Sequence, residues 1–470
     1  MRSGIRRAGL WAALWALLAG PGPASADRRT PAAASETARV AEATPAPSAG
    51  DAVAAATVSP AIAQMVARVQ QRVSELRGLP SKKQISYQPL GPTQLREALR
   101  EAIDEQMPPG LRPDMEFVLR RLKLLGPRQC LDEIFVNLFS EQVAGLYDEK
   151  RGQLYVVTSF DLKTSLAEVI LAHEICHALQ DQNYDLSQWP LRETHNDDAA
   201  YGALSVLEGD ATLLMSEYAA LEVKPGRWLR ELPGMLLMLG VQQPQLQAAP
   251  YFLQQQMLFP YMYGARFVEY AAARNARDRV LSQRPRSTEQ ILHPEKYFAD
   301  PPDDPTTFSL AGLDAAAPAG WERKYHNTMG EMGTRILLEA HFAPEAYAAA
   351  AGWSGDVLAL YAPADAPTSH AAYALVIQWR GDTQADAAEF ERAVRRVAAE
   401  RLFQSPANTA PDGAARFSSP PSAALLQRHD HVVVYVDASG PAIAERFAQA
   451  AFLGGGRITD QIIPPKVLTP

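Results

Sequence analysis

The apolar segment Ala167–Leu179 has the most informative pattern of hydrophobic and polar positions in the chain. Strong helix formers fill the residues before its first histidine, so the segment predicts a buried helix. His173, Glu174 and His177 stand inside this apolar run. A buried helix can hold such side chains in fixed positions, which favours a preorganised metal site.

Helical periodicity also predicts ordered structure on the N-terminal side of this segment, beginning near Pro60. Thr93 is the predicted N-cap of the second helix there, with Glu97 nearby. These helices form either a prodomain or the first layer of the main domain, and the absence of an evident processing signal favours the second. The predicted helices are Ala61–Leu76, Thr93–Gln106 and Asp114–Leu125.

The pattern changes after residue 345, where predicted strands alternate with helices. This alternation favours a small α+β layer, with a ferredoxin-like arrangement as one option. The layer carries no cluster of titratable residues suited to chemistry, so structural support and substrate docking both remain open. The predicted strands are Val357–Tyr361, Ala372–Trp379 and, within Ser422–Asp437, His431–Val436; the predicted helices are Gln384–Leu402 and Ala442–Phe452.

The N-terminus has the three-part pattern of a secretory signal peptide. Leu10–Leu18 form an apolar core, and Ala24–Ala26 provide a cleavage site of small residues. The core is too short for a spanning helix. Residues 1–26 are therefore a predicted signal peptide, and the mature protein is expected in the periplasm or secreted. The charged region before the core consists of Arg2, Arg6 and Arg7.

The segment 27–59 is rich in Ala, Pro, Ser and Thr, and it predicts a flexible leader that cannot build a core. Further along, Leu232–Val241 is apolar but too short to span a membrane, so a buried helix is expected there. The mature chain is therefore predicted to have no stable membrane anchor.

Length and charge limit the classes of function. The chain has 470 residues, enough for a sizeable core and two domains, predicted at 60–345 and 346–470. Its formal net charge is −8, and it has no long basic stripe. Nucleic acid is therefore not an expected partner. The sequence does not predict the oligomeric state.

The pentapeptide His173–His177 has the HExxH spacing, which follows from metal chemistry. Histidines at i and i+4 lie one helical turn apart on the same face, so they can hold one zinc ion. Glu174 would lie beside the metal, where it can take a proton from a bound water. Catalytic zinc needs a third protein ligand and one open position.

Glu208 is the best candidate for that third ligand. The loop around Asn183–Asp198 leaves room for the first helix to end and for a second helix, carrying Glu208, to run back. Gly209 and other small residues near Glu208 would let this second helix approach the metal closely.

These residues carry a resemblance to the gluzincin metallopeptidases, in which HExxH is followed by a glutamate on a second helix. The chain looks like an uncharacterised group of secreted bacterial putative metallopeptidases, over roughly residues 140–360 and more weakly to the C-terminus. The resemblance implies a mostly helical zincin-like domain with a small sheet. The matching strings are His173–Gln182, Glu208–Thr212, Phe259–Gly264, Pro285–Tyr297 and Gly352–Asp356.

By this resemblance His173, His177 and Glu208 would be zinc ligands, and Glu174 would be the general base. The chain departs from the thermolysin-type ExxxD pattern, because Thr212 stands in the place of its Asp. No GxMEN-type exopeptidase signature is present either. Asp210 and Asp198 are the candidates left to orient a ligand histidine.

Substrate positioning has two candidate features. The segment Val143–Val157 predicts two strands joined by a polar turn, which either pair with an extended peptide or serve only a structural role. The developing oxyanion needs a hydrogen-bond donor besides zinc. His293 is the leading candidate for this catalytic role. The other candidates are Tyr261, Tyr263 and Tyr297.

The chain contains two cysteines, Cys130 and Cys176. Export permits a disulfide between them. The preferred interpretation is that both cysteines are small, buried apolar residues. A weaker interpretation is that Cys130 blocks the zinc and keeps the enzyme latent.

The sequence thus predicts an exported zinc metallopeptidase that acts on a peptide or protein substrate. Two alternatives remain: a catalytically inactive zincin-like binding or chaperone protein of the envelope, and a zinc amidase that acts on cell-wall peptide.

Overall fold

The computed structural model describes residues 60–140, 145–148, 151–157, 164–223, 244–341, 343–409, 411 and 413–454. The predicted signal peptide, the predicted leader and Leu232–Val241 lie outside the described residues, as do parts of the predicted hairpin. Across the described ranges, none of the helices is both long and apolar enough to span a membrane.

The N-terminal two thirds of the described chain are mostly helical, with one small sheet. The elements are α1 (Pro60–Arg77), β1 (Ser86–Leu90), α2 (Pro92–Gln106), α3 (Arg112–Arg121), α4 (Leu131–Ser140), β2 (Gly145–Asp148), β3 (Gln153–Val157), α5 (Ser165–Tyr184), α6 (Asp197–Glu222), α7 (Pro244–Ala248), α8 (Tyr251–Ala272), α9 (Arg279–Ser282), α10 (Thr288–Leu292), α11 (Pro294–Phe298) and α12 (Ala311–Ala316).

The remaining elements build a larger sheet with helices on both faces. They are β4 (Trp321–Asn327), α13 (Gly330–Ala340), α14 (Ala346–Ala351), β5 (Trp353–Pro363), β6 (Ala374–Gly381), α15 (Gln384–Val397), β7 (Asn408–Thr409), β8 (Ala415–Ser419), β9 (Ser422–His429), β10 (Val432–Ala438) and α16 (Pro441–Gly454). The mixed, largely helical α and β composition that the sequence predicts is confirmed.

Helix α5 carries the HExxH residues and is buried along most of its length. It begins after Thr164, whose side chain accepts a hydrogen bond from the N–H of Ala167. It ends at Asp185, which adopts a left-handed conformation with φ 46°. Every residue from Ser165 to Gln180 is buried, which confirms the predicted buried helix. A helix apolar on all sides belongs in a core, so its few polar residues must find partners there.

Helices α6 and α8 cross in direct backbone contact at two glycines. A Cβ atom on Gly209 would lie 2.2 Å from the backbone of Gly264, and one on Gly264 would lie 2.1 Å from the backbone oxygen of Ser205. The small residues beside Glu208 therefore let α8 approach α6. Gly209, which the sequence predicts to allow close approach of the metal, instead faces the neighbouring helix.

The small sheet has strand order β1-β3-β2, with β1 parallel and β2 antiparallel to β3. The described parts of the predicted hairpin, β2 and β3, form as expected. Strand β2 lies at the edge of this sheet and packs against α5. The hairpin is thereby placed beside the HExxH helix.

The large sheet is antiparallel throughout, with strand order β4-β5-β6-β10-β9-β8-β7. Alternate residues of its strands face two apolar cores, one beneath α13–α15 and one beneath α12 and α16. This order differs from a ferredoxin-like layer, because hairpins join β8, β9 and β10 in sequence order. Strand β4 belongs to the same sheet, which therefore reaches across the predicted domain boundary at 345/346.

Helix α2 begins one residue earlier than the sequence predicts. Gly91 is its N-cap, and Pro92 occupies the first helical position, where its fixed φ is favourable and its missing N–H costs nothing. The side chain of Gln94 accepts a hydrogen bond from the N–H of Gly91. Thr93 is therefore a helical residue and not the cap.

We expect Gly264→Ala to lower the free energy of unfolding by about 1–3 kcal/mol, because the added methyl group forces α6 and α8 apart. Chemical denaturation measures the change. Gly110→Ala is the control, since a Cβ there meets no atom within 4 Å. Equal stability of the two variants would contradict the close crossing.

Candidate metal centre

Three side-chain atoms that the sequence predicts as metal ligands converge between α5 and α6. Nε2 of His173 lies 3.1 Å from Nε2 of His177 and 3.2 Å from Oε2 of Glu208. Nε2 of His177 lies 3.4 Å from the same carboxylate oxygen. The three side chains are at most 1 % exposed. They could hold a metal ion between them.

The surroundings of Glu208 fit a cation. Burying a carboxylate is costly unless hydrogen bonds or a positive charge compensate it. Among the described residues, neither oxygen of Glu208 receives a well-directed hydrogen bond, although two imidazole nitrogens are close. A metal ion bound by the two imidazoles and the carboxylate would supply the missing compensation.

The charges within the cluster are strongly coupled. Burial opposes ionisation of His177, but the neighbouring Glu208 carboxylate outweighs it and raises the histidine pKa to about 9. Burial likewise disfavours the Glu208 carboxylate, yet His177 and His173 hold its pKa below the ordinary value. Burial lowers the pKa of His173. The cluster as a whole therefore favours one positive charge beside the carboxylate.

Glu174 lies next to this cluster and has one oxygen anchored. Its Oε2 accepts a hydrogen bond of 3.1 Å from the backbone N–H of Tyr147 on the edge strand β2. Its Oε1 has no hydrogen-bond partner among the described residues. Burial raises the pKa of Glu174 to about 8. The carboxyl group is thus fixed in orientation, with one oxygen available for proton transfer.

Tyr261 is the predicted tyrosine that the structure brings to the cluster. Its ring centroid lies 6.4 Å from that of His173, and the residue is fully buried. Burial, Glu208 and Glu174 raise the pKa of its hydroxyl well above the ordinary value, so the phenol keeps its proton. Tyr261 precedes Gly264 by one helical turn, and the α6–α8 crossing therefore sets its position.

The other two candidate tyrosines have different surroundings. Tyr263 stacks on Phe259 with ring centroids 5.0 Å apart. The hydroxyl of Tyr297 donates a 2.6 Å hydrogen bond to the backbone oxygen of Gln283. Neither of these contacts involves a residue of the metal cluster.

His293 pairs with a residue outside the cluster. Its Nε2 lies 3.0 Å from Oε1 of the buried Glu331 on α13. Helix α10, which ends beside it, is attached to the first turn of α6, where Asp198 accepts hydrogen bonds from Thr288. Glu208 lies roughly 15 Å further along α6, at 1.5 Å per residue. The pairing with Glu331 raises the pKa of His293.

A residue that the sequence analysis missed, Gln180, contacts a ligand histidine. Its Oε1 lies 2.9 Å from Nδ1 of His177, and its amide nitrogen donates to Asp210 at 2.8 Å. Asp210, one of the two candidates for orienting a histidine, thus reaches His177 through Gln180. Asp198, the other candidate, bonds Thr288 instead. Gln180 lies three residues after His177, and this i, i+3 spacing on a helix could have predicted the contact between them.

Asp210 belongs to a buried ion cluster. Its carboxylate accepts hydrogen bonds from Arg77 at 2.8 Å and Arg277 at 2.6 Å. Burial would raise its pKa, but the two guanidinium groups hold it below the ordinary value. Arg277 also forms two bonds of 3.0 Å with Glu217. The Asp210 carboxylate is therefore held as an ion pair two residues from the candidate ligand Glu208.

The two cysteines are free and have different environments. Cys176 is buried, as expected, and its Sγ lies 3.8 Å from Oδ2 of Asp210. Cys130 is only half-buried, so it is not the core residue that the sequence analysis preferred. The structure contains no disulfide between them.

Comparison with known proteins covers only the C-terminal part of the chain. Residues 317–448 match the model of a domain family of unknown function, DUF8575. The matched segment contains the strands of the large sheet and ends within α16, whereas the metal cluster lies outside it. No curated protein and no solved structure matches the chain significantly.

We expect the purified protein to bind about one divalent metal ion per chain, and His177→Ala and Glu208→Gln to lose it, because each removes one of three converging ligand atoms. Elemental analysis after dialysis measures the content. His293→Ala is the control and should keep the metal. Loss of metal in the control, or its retention in both ligand variants, would contradict this site.

Proposed function

We propose that this protein is an exported zinc metallopeptidase. The observation that carries the proposal is the convergence of His173, His177 and Glu208 beside Glu174, whose carboxyl group has one anchored and one available oxygen. Export is supported by the signal-peptide pattern of residues 1–26.

The spacing of the three ligand atoms supports zinc. Zinc binds imidazole nitrogen and carboxylate oxygen at about 2.0–2.1 Å, so two ligands of a tetrahedral site lie about 3.3 Å apart. The three observed separations, 3.1, 3.2 and 3.4 Å, agree with one face of such a tetrahedron. Two histidines, one glutamate and an open fourth position form a known donor set of catalytic zinc.

Each residue of the cluster has a role in peptide hydrolysis. A zinc ion held there would polarise the substrate carbonyl and lower the pKa of water. Glu174 accepts a proton from the attacking water at Oε1 and passes it to the leaving amine. The N–H of Tyr147 keeps Oε2 in place during both transfers. The protonated hydroxyl of Tyr261 donates a hydrogen bond to the oxygen that gains negative charge.

The edge strand β2 supports a peptide or protein as the substrate. Among the described strands β2 pairs only with β3, and we infer that an extended chain pairs along its other edge beyond Tyr147, whose N–H bonds Glu174. The hydrogen bond from Tyr147 to Glu174 shows that this strand lies beside the proposed base. Strand addition uses main-chain hydrogen bonds, and it therefore tolerates many substrate sequences. Cell-wall peptide would satisfy the same geometry.

A second candidate is a non-catalytic binding protein of the envelope with a structural metal. The near-complete burial of the three ligands favours it, because structural metal sites are closed. Such a protein has no use for the available Oε1 of Glu174, and this favours the peptidase. Substitution of Glu174 separates the two.

We expect Glu174→Gln to keep the metal and to lose nearly all peptidase activity, because an amide cannot accept the proton from water. A fluorogenic peptide library measures turnover, and elemental analysis measures the metal. Glu168→Gln on the same helix is the matched control. Its carboxylate bonds Arg68 and Tyr218, so we expect full activity. Undiminished turnover in Glu174→Gln would remove the proposed base.

We expect Tyr261→Phe to reduce kcat about 100-fold to 1,000-fold with the metal retained, because one donor to the developing oxyanion is lost. Tyr263→Phe, two residues away on the same helix, should leave kcat unchanged, since its ring stacks on Phe259. Steady-state kinetics of the two variants provide the comparison. Equal kcat values would exclude the hydroxyl of Tyr261 from the reaction.

A further inference from the structure

Gln180 joins the two helices that carry the candidate metal ligands. Its side-chain nitrogen donates to the backbone oxygen of Leu207 at 3.1 Å and to Oδ2 of Asp210 at 2.8 Å. Its Oε1 lies 2.9 Å from Nδ1 of His177, and the residue is fully buried. Leu207 and Asp210 flank Glu208 on α6. One amide group therefore contacts the ligand histidine of α5 and both sides of the ligand glutamate on α6.

The orientation of this amide determines where the proton of His177 lies. An amide nitrogen has two hydrogens, and both are directed at acceptors on α6. The amide oxygen of Gln180 must therefore face the imidazole, and because it can only accept, Nδ1 of His177 donates. In the neutral ring, Nε2 then presents a lone pair toward His173 and Glu208.

The buried ion cluster prevents the amide from turning over. Asp210 is fully buried and pairs with two guanidinium groups, and a carboxylate can only accept hydrogen bonds. If the amide of Gln180 rotated by 180°, its oxygen would face Oδ2 of Asp210, and two acceptors would repel each other there. Arg77 of α1 and Arg277, which precedes α9, hold Asp210 in place from two further directions. The orientation of His177 is thus fixed by residues far from it in sequence.

We propose that Gln180 is the positioning residue of the metal site: it fixes the tautomer of His177 and the register of Glu208 against it. This inference rests on the proposed metal-dependent function. Gln180 acts through His177 and Glu208 and takes no part in proton transfer. Partners of this kind, beyond the ligands themselves, contribute roughly 10-fold to 100-fold to metal affinity.

The test is Gln180→Met in the full mature chain, which preserves side-chain length and removes all three hydrogen bonds. Zinc affinity is measured by competition with a chromophoric chelator, and the visible spectrum of the cobalt-substituted protein reports ligand geometry. We expect zinc affinity to fall roughly 10-fold to 100-fold and the cobalt spectrum to change.

Gln182→Met is the matched control, two residues along the same helix. Gln182 also makes three hydrogen bonds, but to the backbone of Lys82 and Lys83, away from the ligands. We expect its zinc affinity to stay within about twofold of the unsubstituted chain, since the metal ligands keep their partners.

Gln180→Glu is the second variant. It keeps an acceptor oxygen for Nδ1 of His177 but presents oxygen to Leu207 and Asp210 where the amide nitrogen donated, so we expect zinc affinity to fall roughly 10-fold or more in this variant as well. If neither variant folds, the imidazole nitrogen chemical shifts of His177 in the zinc-bound, unsubstituted chain test the tautomer, and we expect a protonated Nδ1. Unchanged affinity in a folded variant, or an unprotonated Nδ1, would overturn the positioning role alone. Failure of the unsubstituted chain to bind zinc would instead overturn the proposed function itself.

Discussion

The structure depends on the burial of charged side chains between two helices. His173, His177 and Glu208 have almost no solvent contact, and the desolvation of such groups is among the most costly events in folding. Only part of this cost is compensated among the described residues: Nδ1 of His177 lies 2.9 Å from Oε1 of Gln180, whereas neither oxygen of Glu208 receives a well-directed hydrogen bond. A metal ion at the three converging atoms would complete this compensation, and metal binding is therefore expected to stabilise the fold.

Two different kinds of contact keep the cluster in shape. The backbone contact between Gly209 and Gly264 places α8, and with it Tyr261, at a fixed distance from Glu208. The ion cluster around Asp210 fixes the other side through Gln180. The backbone contact does not depend on the charge of any side chain, whereas the ion cluster requires its charges. Together the two contacts fix the positions of the candidate ligand atoms within the folded chain.

The large sheet is joined to the helical part by charged contacts as well as by packing. Nζ of Lys296 bonds Glu289, Asp303 and Asp382, and the last of these follows β6 of the sheet. These three carboxylates also have the spacing of a cation site, but the ammonium group already provides the positive charge. These contacts connect the large sheet to the helical part, which contains the candidate metal ligands.

The sequence by itself determined the buried helix of HExxH, the second helix with Glu208 and most C-terminal elements, because local periodicity and ligand spacing specify them. Tertiary structure decided the positions of Tyr147, Gln180 and Tyr261, since each is placed at the candidate site by contacts distant in sequence. Tertiary structure also determined strand β4, Trp321–Asn327. Its sequence shows no alternation of hydrophobic and polar residues, and the strand forms by pairing with β5. Patterns along a chain specify elements, whereas long-range packing selects which side chains share a site.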